Sequence, residues 1–378
     1  MKKFIFYVGF IFLFSFFLIG CGTDNSKDIL KKLNSKFNNA NSYYVNGVME
    51  IFNNEDTYTY NVDVSYKKDN YYKVSLVNTL NNHEQVILRN DNGVYVVTPS
   101  LNKSFKFQSD WPYNNSQIYL LNSIIDDLSS DDKLLFKNDN KGYVFTSSVN
   151  YPNNKSLMKQ NVYVDDKLNI NKVEVTDKNN KVQISMKFDK VKLNKDFDKD
   201  YFELSNLITV SNKNSSDNIK NNDSNTNNNQ GSGDNDVNNN ESSTNNNQNS
   251  NNNTDNNQNK TKDVVTIDDV IYPMYLPDNT TLANKEVIDT SNGKRLILTF
   301  DGDNPFTLVE EVASYHDNGL IIPVSGDLDF LTDVIGVIGD NSLTWESNGT
   351  SYYLVSDVIK TSELIEIAQS INVVPVSK

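Results

Sequence analysis

The chain has 378 residues, 37% of them hydrophobic, with two histidines, one cysteine and a formal net charge of −14. A lone cysteine excludes disulfides and Cys-based metal sites within one chain. The acid is unevenly placed, and this excludes nucleic acid as a partner: residues 22–211 carry 24 basic and 24 acidic side chains, residues 263–378 carry 5 and 19, and neither part offers a basic face to neutralise phosphates.

In chain order, Met1-Lys2-Lys3 precedes an uncharged run rich in Phe, Ile and Leu that ends Leu18-Ile19-Gly20-Cys21. A short basic region, an apolar core and a small residue before the cut are the parts of a secretory signal, here residues 1–20. Residues 24–37 read as an amphipathic helix, with Ile29, Leu30, Leu33 and Phe37 on one face and Lys27, Lys31 and Lys32 on the other. The period then changes to two. In residues 57–66, Tyr58, Tyr60, Val62, Val64 and Tyr66 face one way and Thr57, Thr59, Asn61, Asp63 and Ser65 the other. Residues 43–52, 71–76 and 85–89 continue the pattern, and so do two strands of the segment 93–128. There Pro99-Ser100 breaks the first strand, because proline has no N–H for a ladder. Phe105 and Phe107 share a face of the second. Trp111-Pro112-Tyr113 turns the chain, and Asn114, Asn115 or Ser116 is expected to cap a helix with Leu121, Ile125 and Leu128 on one face.

Further strands are expected at 143–147, 161–164, 171–175 and 182–188, separated by turn formers such as Asn140-Lys141-Gly142 and Asn179-Asn180. About ten sequential strands and two helices imply one large curved antiparallel sheet, residues 21–211, with the helices packed inside its bend. Residues 212–262 are mostly Asn with Ser, Asp, Gln and Thr, too polar to offset their ordering entropy, and are expected to be a disordered linker. Hydrophobic patterning returns in residues 263–378: strands at 285–288, 295–300, 306–312, 320–324, 342–345 and 351–355, then a helix with Leu364, Ile367, Ala368 and Ile371 on one face. The fold class is α+β throughout, with an acidic C-terminal α+β domain.

Catalytic patterns are lacking. His83 and His316 sit in polar turns and are expected at the surface. The sequence holds no Gly-x-Ser-x-Gly, no His-Glu-x-x-His and no phosphate-binding glycine loop. Asp301-Gly302-Asp303-Asn304 lacks the other ligands of a calcium loop and reads as a hairpin turn. Asp126-Asp127 and Asp131-Asp132 lie at a helix end and the following turn, where solvated aspartates are ordinary. No enzyme, cofactor or metal site is expected. What remains is aromatic content: tyrosines crowd the early strands, and Tyr58, Tyr60 and Val62 with Leu121, Ile125 and Leu128 would line an apolar cavity for an acyl chain or a partner's hydrophobic segment.

Two resemblances sharpen this reading. Leu18-Ile19-Gly20-Cys21 is similar to the lipobox of bacterial lipoproteins, which implies a diacylglyceryl group on Cys21 and attachment to the extracytoplasmic face of the cell membrane. Signal, helix and a long meander with an inserted helix resemble the LolA-like superfamily of lipoprotein carriers and RseB-like sensors. Residues 94–112, VYVVTPSLNKSFKFQSDWP, look like the strand–turn–strand of its clostridial and bacillar sporulation and germination lipoproteins, the GerS- and YdcC-like branch. The resemblance implies a half-barrel covered by helices and no catalysis. It further implies a lipid or lipoprotein acyl chain as ligand, or an accessory role in spore-cortex or peptidoglycan modification beside a wall amidase.

Overall fold

The computed structural model describes residues 26–53, 56–139, 142–209 and 270–371. The expected signal, Cys21 and the segment 212–262 lie outside the described residues. The described residues form one compact unit built on two sheets.

The first sheet grows from β1 (Ser42–Asn53) and β2 (Asp56–Lys67), paired in the register Tyr43↔Tyr66, Val45↔Val64 and Met49↔Tyr60. Every second residue of both strands therefore falls on the inner face, where Tyr43, Val45, Met49, Tyr60, Val62, Val64 and Tyr66 are buried and Ile51 and Tyr58 partly so. The meander continues through β3 (Tyr71–Asn78), β4 (Glu84–Asn90), β5 (Gly93–Thr98) and β6 (Lys103–Phe107) on one side of β1. On the other side β11 (Val182–Leu193) pairs with β1, and β10 (Ile170–Thr176), β9 (Lys159–Val164), β8 (Gly142–Ser148) and β7 (Leu135–Asp139) follow. At the β1–β11 seam the register shifts between Asn46 and Gly47, and a Cβ on Gly47 would lie 2.1 Å from the Lys187 carbonyl oxygen. Only glycine permits that approach.

The concave side is filled. Helix α1 (Ser26–Asn38) buries Ile29, Leu33 and Phe37, and α2 (Leu121–Ser130) buries Leu121, Ile124, Ile125 and Leu128. Against them the inner face presents a ladder of rings: Tyr43 and Tyr66 at 4.8 Å between centroids, Tyr66 and Tyr72 at 4.9 Å, Tyr72 and the buried Trp111 at 5.7 Å. This is the curved, helix-filled antiparallel sheet that the LolA-like resemblance implies. Helix α2 starts later than expected. Trp111, Ile118 and Tyr119 are themselves buried, so the chain runs through the core in turns, and the helix opens after Leu120 with no side-chain cap.

The second sheet contains β12 (Thr280–Thr290), β13 (Gly293–Gly302), β14 (Phe306–Val312), β16 (Asp327–Phe330), β17 (Ile335–Ile338), β18 (Ser342–Ser347) and β19 (Thr350–Val355), in the order β12-β13-β14-β19-β18-β17-β16. Its inner face carries Leu298, Leu308, Trp345 and Leu354, covered by α3 (Thr361–Gln369). Two pieces of this C-terminal part leave it for the first sheet. Strand β15 (Leu320–Val324) pairs in parallel with β6, which makes the first sheet twelve-stranded. From β16 and β17, Leu328, Ile335 and Val337 reach into the first core.

Candidate functional site

The six residues expected to line a cavity do come together on the concave side. Tyr60, Val62, Leu121, Ile125 and Leu128 belong to its buried core, and Tyr58 packs at the edge of it. The five core residues are in contact with the chain's own helices and strands, while Tyr58 lines one of the surface openings described below.

The C-terminal part closes the mouth of the half-barrel. Gln85 holds Ile335 at both ends of its amide: its Nε2 donates to the Ile335 carbonyl at 3.2 Å, and the Ile335 N–H donates to its Oε1 at 2.6 Å. Ser109 donates to Asp327 at 2.8 Å, and Asn102, in the left-handed region at φ 51°, donates to the His316 carbonyl at 2.6 Å. Lys103 and Glu346 form a salt bridge at 2.6 Å with both side chains nearly out of water. A charge buried without its partner is expensive, so this pair fixes which faces meet. His83, expected at the surface, lies half-buried beside the same seam. Burial pushes its imidazole below the ordinary range, against the pull of Glu346 and Asp333.

Where this closure ends, a groove of about 540 Å³ remains. Its apolar floor is Ile51 and Phe52 of β1, Leu157 of the 8–9 connection, Phe330 and Leu331, and Ile365 of α3; Asn154, Lys155, Gln183, Glu366 and Gln369 lie on its polar margin. A pocket of about 20 Å³ adjoins it, shares Ile51, Tyr151, Ile184, Asp329 and Phe330, and reaches Met49 and Tyr119. Phe330 shuts the way inward, its ring edge-on to Tyr119 at 6.1 Å. Asp329 stands between the two spaces. Burial pushes its carboxyl up to about 6, although the Phe330 N–H donates to it at 2.7 Å and Asn153 also favours the ionised form. The groove can thus seat an apolar segment against Ile51, Phe330 and Ile365 and answer its polar groups at the margin, with one proton-labile carboxylate beneath.

A second opening, about 310 Å³, lies at the other side of the seam, lined by Asp56, Tyr58, Leu80, Asn81, Asp333 and Asn348 among others. Asn81 and Asn348 join across it at 3.0 Å. The remaining acidic candidates are structural in their contacts. Asp127 accepts from Gln160 at 3.0 Å, and Asp303, in the β13–β14 turn, accepts from Asn279, which precedes β12, at 2.8 Å. Among the described residues no three His, Cys, Asp or Glu side chains are grouped to hold a metal ion.

With the geometry in place, the chain can be set beside known proteins. The family model of YdcC-like sporulation proteins matches residues 1–202. The sporulation protein YdcC of Bacillus subtilis (strain 168) is 32% identical over 354 residues, 93% of this chain and 92% of its own. The chain belongs to the YdcC-like sporulation protein family. The match to the Bacillus protein covers 93% of the chain and so extends past the residues of the family model into the C-terminal part. Among solved structures, a chain of the Pseudomonas aeruginosa MucA/MucB complex aligns with 90% of this chain and 96% of its own at 12% identity and TM-score 0.30. A LolA superfamily protein from Nitrosomonas europaea aligns with 48% of this chain and 99% of its own at 13% identity and TM-score 0.29.

Proposed function

We propose that this YdcC-like protein is a non-enzymatic binding protein, anchored through a diacylglyceryl group on Cys21 to the extracytoplasmic face of the cell membrane, that holds an apolar segment of an envelope protein in the groove between β1, the 151–157 loop and α3. The observation that carries this reading is the groove itself: the concave side is occupied by the chain's own residues, and about 540 Å³ of partly apolar space is left where both parts of the chain meet. A space of that size is within the range of sites that bind a short segment or a small ligand. Membership of a sporulation family supports placing the partner in the envelope of the sporulating cell.

A photo-crosslinking residue at Asn154, in the full chain made by sporulating cells, tests this; the same residue at Leu135, on the exposed β7 edge, is the control. The expected result is a discrete protein adduct at position 154 and none at 135. A lipid adduct at 154 would assign the groove to an acyl chain instead, and a wall amidase as the adduct would make the protein an accessory factor of cortex or peptidoglycan modification. Absence of any adduct at 154 contradicts the reading.

A further inference from the structure

The sheet edges of this protein are unequal. Strand β15 is five residues long and carries Pro323, β7 is five residues and β16 is four. Short strands and proline are the ordinary means of keeping an edge from pairing. Strand β12 has neither. It runs eleven residues without proline, ends the second sheet, and is exposed along nearly its whole length on both faces; Val287, in its second half, is 50% exposed. Among the described residues nothing pairs with its outer side.

Its hydrogen-bonding direction follows from the hairpin. Thr290 and Gly293 flank the two-residue turn Ser291-Asn292, and the register continues Asp289↔Lys294, Ile288↔Arg295, Val287↔Leu296. In a two-residue hairpin the flanking pair exchanges both hydrogen bonds and the positions alternate from there. The N–H and C=O groups of Lys285, Val287 and Asp289 therefore point outward.

We infer that β12 is a self-association edge on which a second copy of this chain pairs antiparallel, with Val287 facing Val287 of the other copy. Two identical antiparallel strands meet about a two-fold axis that places one residue opposite itself, an outward residue as a hydrogen-bonded pair or an inward one as a non-hydrogen-bonded pair. Centring on Lys285, Glu286 or Asp289 would put like charges directly opposite, which is destabilising, and centring on Ile288 would set Val287 against Asp289 and leave Lys285 without an acidic partner. Centring on Val287 sets Lys285 against Asp289 of the other copy twice over, joins the two valines, and satisfies the outward groups of all three residues. On the other face Glu286 meets Ile288 and no like charges are opposed. The location suits an acidic protein as well. Three of the five basic residues in 263–378, Lys285, Lys294 and Arg295, lie on this hairpin, where two acidic copies approach with least repulsion.

The test is oxidative crosslinking of the full chain in membranes from the cells that make it. Val287→Cys is expected to give a disulfide-linked dimer on a non-reducing gel, Ile288→Cys a much weaker one, and the unsubstituted chain, with Cys21 alone, none dependent on this strand. In the Val287→Cys background, Lys285→Asp should cut the dimer about fivefold, because both symmetry-related pairs become repulsive. Adding Asp289→Lys should restore it. These positions are on an exposed strand, so folding is not at stake. Absence of the Val287→Cys dimer, an adduct with a different protein in its place, or a yield indifferent to the charge exchange would each overturn the self-pairing.

Discussion

The two sheets of this YdcC-like protein solve the burial of one face in different ways. The concave side of the first is closed by two helices, a tyrosine ladder and three aliphatic residues sent over from the C-terminal part. Its deep interior is apolar or aromatic, and its polar contacts with the C-terminal part lie at the seam. The second sheet keeps an ionisable residue inside. Glu310 on β14 is fully buried in the row Leu296, Glu310, Tyr352; its Oε2 accepts from the Ile271 N–H at 3.3 Å, and its Oε1 has no partner. Both cores hold buried polar atoms without partners, Tyr43 Oη and Trp111 Nε1 in the first and Glu310 Oε1 in the second, but in the second the group is a carboxylate, and that sheet also carries the open edge β12. The first core includes Leu328, Ile335 and Val337 of the second sheet.

The difference can be broken at the stronger side. Ile125→Asp places a carboxylate among Leu121, Leu128 and the inner strands, where it loses an aliphatic contact and gains no partner. The expected loss is at least about 4 kcal/mol, enough to abolish the cooperative transition of a marginal protein. Circular dichroism during urea unfolding measures it, and a variant that keeps the parent midpoint would refute the filled concave side.

On the weaker side the expected effect is smaller and depends on pH. Burial pushes the Glu310 carboxyl up to about 7, with Lys285 and the Ile271 N–H pulling the other way. The folded protein therefore holds this proton between the ordinary carboxylate range and pH 7, where the unfolded chain has lost it. The stabilisation is full below about pH 4.5 and is lost as the pH rises through 7. Glu310→Gln removes this dependence. Its unfolding midpoint should exceed that of the parent at pH 8 and approach it near pH 4.5. Asp127 and Asp329, both pushed up to about 6 by burial, should leave a residual slope of the same sign. An unchanged pH profile would mean that Glu310 is solvated in the folded protein.

Much of the first sheet was legible because its strands alternate cleanly: β2 and β3 bury every second residue, and the tyrosines read as an inner face are that face. What escaped was non-local. The pairing of β15 with β6 joins residues more than two hundred positions apart in parallel, and nothing in either strand announces the other. Strands β16 and β17 are four residues each, and the alternation Asp327, Leu328, Asp329, Phe330 is too short to separate from a polar loop. Five of the six expected site residues lie in the first core and Tyr58 at its edge, and their assembly there does not set them apart from the rest of that core. The groove is made by residues near 51, 154, 330 and 365, which only the folded chain brings together. His83 was misplaced for a related reason: its turn is polar, and the surface that buries it comes from the C-terminal part.

The central claim is that the C-terminal part is the closing wall of the half-barrel rather than an appendage. The chain supplies its own probes, since one of its two tryptophans, Trp111, is buried in the first core and the other, Trp345, in the second. Trp345→Phe and Trp111→Phe leave one reporter each, and urea unfolding can be followed by the fluorescence of each variant beside the circular dichroism of the same sample. One transition, with the fluorescence midpoint coincident with the dichroism midpoint in both variants, is the predicted result. Loss of the Trp345 signal at a urea concentration where Trp111 remains buried would show that the two parts unfold separately, and would contradict the account.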